Sequence, residues 1–229
     1  MNARSLLGAA AGLTLLLAAA SGSPSVAQDS GIDYGSLEAS TASSIKAVLK
    51  TASDDKPVRM RSASLANEPL KIPMITDTPR ARVQAGQPIA LGWVGGTPGY
   101  RALLEASASQ PPLETQAVTT TTVVFKTASI KPGTYIVRVT DAKGQTQQSS
   151  FEVAPSAVPP KTDLDQLRIF PPAMQQLMGA CLYARAGREW YLAAYQRLAA
   201  LPDDFPSADS PDAGNLRNLL VTGAPLPAN

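Results

Sequence analysis

Between Gln87 and Val153 apolar residues recur at every second position in short runs, with turn chemistry between the runs. A period of two belongs to strands with one buried and one wet face, because successive side chains of a strand point to opposite sides. Ile89, Leu91 and Trp93 share one face of the run from Pro88 to Val94. A Gly-Gly-Thr-Pro-Gly loop follows, and Tyr100 opens the run that ends at Ala106. Val118 to Lys126 is rich in Thr and Val and reads as one strand by propensity. Tyr135, Val137 and Val139 share a face of the next run, and Phe151 and Val153 lie in phase in the last. Asp141-Ala-Lys-Gly144 between these two is a tight-hairpin signal. Short strands at this spacing, with no helix between them, predict a sandwich or barrel.

The placing of the aromatic residues narrows that choice. Trp93 late in an early strand, Tyr100 opening the next, and Pro132-Gly-Thr-Tyr135 before an alternating strand and hairpin resemble the immunoglobulin-like fold. The flavour is that of fibronectin type III modules, over residues 80–154, about a third of the chain. The resemblance implies an all-β antiparallel sandwich in which Trp93, Tyr100 and Tyr135 are structural. Tyr135 matches the tyrosine-corner position, which implies a buried ring whose hydroxyl bonds to backbone just upstream. The chain departs from the family in having no disulfide pair and a short Trp93-to-Tyr100 connection. These markers describe packing and carry no activity with them.

The flanking segments set the compartment and the domain plan. Arg4, an apolar run from Leu6 to Ala20 and the small-residue site Ser25-Val26-Ala27 form a signal peptide, residues 1–27, with Gln28 as the expected mature start. The apolar run is shorter than the roughly 20 residues of a membrane helix, so cleavage is expected ahead of an uncleaved anchor. The expected protein is periplasmic or secreted, with no membrane span after cleavage. Residues 28–70 read as a flexible segment with one helix over Leu37–Leu49, and residues 71–154 as the sandwich. Pro-rich residues 155–162 form a linker. Residues 163–229 form a helical hairpin plus a short third helix. Pro171-Pro172 opens the first helix, whose stripe is Met174, Leu177, Met178, Cys181 and Leu182, and Gly187 ends it. Arg188–Leu201 is the second, and Ser210-Pro211-Asp212 caps the third, which Gly223 ends. The expected class is therefore an all-β immunoglobulin-like sandwich followed by a segregated α-helical region.

Composition excludes much chemistry. There is no histidine, which removes Ser-His-Asp and Cys-His catalysis and nearly all zinc sites. Cys181 is the sole cysteine, so no internal disulfide or iron–sulfur cluster can form. It reads as a buried small hydrophobe, with a reactive thiol or an intermolecular disulfide as the alternatives. Signal removal leaves 19 basic against 18 acidic residues, which gives no electrostatic case for nucleic acid. Gly92, Gly95, Gly96 and Gly99 read as loop glycines, since they miss the dinucleotide spacing and precede a strand.

What remains is sparse. Ser43-Ser-Ile-Lys46 fits the serine-x-x-lysine pattern of penicillin-interacting enzymes, but the companion motifs are missing. Glu105, Asp141 and Glu152 are the acids that could serve a glycan or peptide hydrolase, and they read as outward-facing solubilising charge. Asp141-Ala-Lys-Gly144 lacks the alternating oxygens of a calcium loop. A glycan-binding module would need coplanar exposed aromatics. Trp190, Tyr191 and Tyr195 spread wider than one narrow stripe needs, so they are the candidate partner surface. The expectation is an exported non-enzymatic envelope protein with a protein partner and no cofactor or metal.

Overall fold

The alternating runs do form strands, and helices from both ends of the sequence cover them. The computed structural model describes residues 35–54, 68–78, 80–106, 110–126, 130–160, 162–202 and 211–226, all within the unit Asp33–Asn229. The signal segment 1–27 and the Ser210 cap lie outside the described residues.

Among the described residues, seven strands make two sheets. β1 (Arg82–Gln84), β7 (Thr146–Ala154), β6 (Gly133–Thr140), β3 (Tyr100–Glu105) and β4 (Glu114–Val118) lie side by side in that order. β2 (Ile89–Gly92) pairs antiparallel with β5 (Thr122–Phe125) in a second, two-stranded sheet. The run from Val118 to Lys126 is thus interrupted: Val118 ends β4, residues 119–121 bend, and Thr122–Phe125 is β5. Thr120 bonds its hydroxyl to the Thr122 carbonyl at 3.2 Å, and such local bonding competes with the ladder that threonine otherwise favours. Tyr135, Val137, Val139, Phe151 and Val153 are buried in phase, as the alternation predicts. In the β6–β7 turn Gly144 takes φ 81°, which an L side chain rarely adopts.

Among the described residues five helices join them: α1 (Ala39–Asp54), the one-turn α2 (Pro73–Thr76), α3 (Pro172–Ala186), α4 (Tyr191–Ala199) and α5 (Pro211–Thr222). The 3-10 turns Asp165–Ile169 and Arg188–Trp190 lead into α3 and α4. α1 extends past the expected Leu49, burying Ile45, Val48, Leu49 and Ala52.

The expected all-β antiparallel sandwich with segregated helices is overturned on two counts. β1 runs parallel to β7, with Arg82 opposite Glu152 and Gln84 opposite Ala154. The helices also share the strands' packing: α1 rests on α3 and α5, α4 on β1 and β2, and α2 on β7 and α5. The unit is a mixed α/β structure. The physical reason lies in β2, which is buried on both faces. Ile89 and Leu91 alternate as expected, but Ala90 and Gly92 meet helices where a free sandwich would meet water. Gly92 is a strand residue, not a loop glycine, and a Cβ there would come within 2.6 Å of Val221 on α5. Gly95, at φ 72°, does sit in a loop, and a Cβ there would strike the Pro69 carbonyl oxygen at 2.3 Å.

Candidate functional site

The residues singled out from sequence are mostly built into the scaffold. Trp93 is buried edge-on against Tyr100, ring centroids 5.2 Å apart. The Tyr100 hydroxyl lies 3.0 Å from the Gly95 carbonyl oxygen. Burial, and secondarily the charge of Asp141, push the Tyr100 phenol above its usual range. Tyr135 stacks on Phe151 and donates its hydroxyl to the Lys131 carbonyl at 2.9 Å, the local upstream bond expected at that position.

Trp190, Tyr191 and Tyr195 are 4, 2 and 6% exposed, so the candidate aromatic partner surface is interior. Trp190 packs against Tyr183, and Tyr191 donates to the Ala224 carbonyl at 2.9 Å. Burial raises the phenols of both Tyr191 and Tyr195. Their wide angular spread arises because α4 touches α3, α5 and β2 at once.

Two of the three acids also depart from expectation. Glu105 and Asp141 are buried, and Glu152 stays partly exposed. Glu105 accepts from Arg138 at 3.3 Å, and Glu152 pairs with Arg82 at 3.1 Å. Asp141 takes backbone N–H bonds from Thr97, Lys143 and Gln145 at 2.8–3.0 Å. Burial alone would raise its carboxyl, but these bonds outweigh burial and hold it below the usual value. Ser43 and Lys46 sit on the exposed side of α1. Cys181 is buried in α3. Among the described residues no group of His, Cys, Asp and Glu could hold a metal, and no helix is long and apolar enough to cross a membrane.

A polar cleft that sequence reading missed lies where the β1–β2 turn meets α3 and α4. Gln84, Gln87, Gln176, Tyr183, Gln196 and Arg197 contribute most of its lining, around roughly 70 Å³ of solvent space. Arg197 lies over the Tyr183 ring, 4.6 Å from its centroid. It donates through Nη1 to Gln176 at 3.2 Å and through Nη2 to the Tyr183 hydroxyl at 3.4 Å. Gly179 makes the room, since a Cβ there would fall 2.8 Å from Nη1. The Arg197 Nε is buried without an acceptor. Gln196 reaches the other way: its amide bonds both the N–H and the C=O of Ala90, each at 2.7 Å. One signal was available. Arg197 falls three residues after Ala194 and four before Leu201, which sets a cation at the border of a buried helical face.

No family model matches the chain, and no curated protein matches it. One solved structure it resembles is PorZ, described as an essential surface component of the type-IX secretion system of Porphyromonas gingivalis. The two are 16% identical at a TM-score of 0.28, over 42% of this chain and 12% of that one. This chain therefore spans a small fraction of that protein's length, and the score lies below that of two chains sharing a fold.

Proposed function

We propose that the chain is exported and serves in the cell envelope as a non-enzymatic accessory protein that holds a partner through the free edge of β4. The signal-like segment 1–27 supports export. The observation that carries the partner reading is the uneven treatment of strand edges.

A strand edge presents unpaired N–H and C=O groups, and proteins cover such edges or leave them for pairing. α4 and the Arg188–Trp190 turn pack on β1. The edge of β2 is bonded by the Gln196 amide. β5 is bridged by side chains of β4: Gln116 donates to the Val124 carbonyl at 2.8 Å, and Glu114 accepts from the Lys126 N–H at 3.2 Å. β4 pairs with β3 on one side and has no strand ladder on the other; β5 packs against it through the Gln116 and Glu114 bonds, and among the described residues no helix makes more than marginal contact with it. Its five residues offer about 17 Å of backbone, enough for a short extended segment of a partner. Leu113 and Val124, 46 and 42% exposed, flank it with apolar surface.

The test places a photo-crosslinking residue at Thr115 on β4 or at Lys50 on α1, both exposed, in cells that export the protein. Adducts are expected from Thr115 alone, and Ala117→Lys should abolish them at an unchanged melting temperature. Adducts from Lys50 alone, or none from Thr115, would remove the edge from consideration.

A further inference from the structure

We propose that the Arg197 cleft is a carboxylate-binding site, separate from the β4 edge and independent of what that edge holds. A guanidinium carries five N–H donors. Two of them reach Gln176 and Tyr183, both neutral, and the buried Nε has no acceptor. None of the ion pairs among the described residues involves Arg197. A partly buried cation without a counter-charge is unfavourable, yet Gly179 and the Tyr183 ring hold this one in a fixed pose. The site is therefore preorganised for a negative charge that the described residues do not bring.

The walls narrow the class of ligand. They contain no carboxylate and no second cation: the other polar lining groups are glutamine amides and the Tyr183 hydroxyl. Gln196 is occupied with Ala90, which leaves the exposed Gln84 at the end of β1 and Gln87 on the β1–β2 turn at the mouth. A single cation among neutral amides suits a singly charged planar group, with the amides taking up polar atoms beside it. Size agrees. The cleft is open to solvent and its solvent space of roughly 70 Å³ admits a carboxylate on a stem.

The test is a titration of the 15N-labelled protein with acetate, acetamide and inorganic phosphate at constant ionic strength. The readout is the Arg197 Nε–Hε cross-peak, identified by its loss in Arg197→Lys. Acetate should shift that peak saturably and acetamide should not. Gln87→Glu, at an exposed turn position, puts a carboxylate at the mouth and should weaken acetate about tenfold by competing for the guanidinium. No saturable shift, equal shifts from acetamide, tighter binding of phosphate than of acetate, or an unchanged acetate response in Gln87→Glu would each overturn the assignment.

Discussion

Asp141 uses both carboxylate oxygens on main-chain donors: Oδ1 on Lys143 and Gln145 within its own hairpin, and Oδ2 on Thr97 in the loop before β3. The hairpin was legible from Asp141-Ala-Lys-Gly144 because turn chemistry is local. The burial was not, because Thr97 is brought in from 44 residues away. The same distinction separates Tyr135, whose acceptor Lys131 is four residues upstream, from Arg197, whose partners lie on another helix. Asp141 also fixes a pH dependence. Its folded carboxyl lies below the ordinary value of 3.8, so the folded chain gives up the proton more readily than the unfolded one. The associated stability is present above 3.8 and is lost as pH falls through the lower, folded value. Urea unfolding measured from about pH 5 down to about pH 2 should show this loss in the wild type. Asp141→Asn should be less stable at neutral pH and show a shallower acid slope; an identical slope would show that Asp141 does not contribute to it.

Alternation identified the β2 and β6 strands and their buried residues, but it carried no information about what lies beyond a strand's second face. β2 reads as half-buried, and only the helices reveal why Ala90 and Gly92 are buried too. Gln196 fastens the two layers with a side-chain amide that takes the place of a neighbouring strand. Gln196→Ala should leave the Ala90 N–H and C=O without partners and cost about 2 kcal/mol. Hydrogen exchange at Ala90 should accelerate by more than at Leu91. Equal protection in the variant and the wild type would show that the clamp contributes nothing. The β4–β5 split escaped for the opposite reason: threonine has strand propensity wherever it occurs, and the break at residues 119–121 comes from local hydroxyl bonding.

Over the whole unit, the helices beyond Pro160 complete the interior that the strands begin. Arg217 of α5 donates to the Leu198 carbonyl at 2.8 Å, Tyr191 of α4 bonds Ala224, and Val221 fills the space left by Gly92. The Pro-rich stretch suggested a boundary because composition changes there, yet composition does not report which surfaces later meet. A chain ending at Pro160 would expose Ala90, Gly92 and the α1 stripe of Ile45, Val48 and Leu49. It should give no cooperative thermal transition and bind a hydrophobic dye; a sharp transition with dispersed strand resonances would show that the β region folds by itself.

The seating of α1 against both α3 and α5 has a consequence in time. Strands of the middle region can pair as they emerge from synthesis, but α1 must wait for α3 and α5, which are made after them. At about 5–20 residues per second, that leaves its apolar stripe uncovered for several seconds at least. A chain whose closing step depends on α5 keeps its α1 stripe uncovered until α5 is made, which would suit the export proposed above.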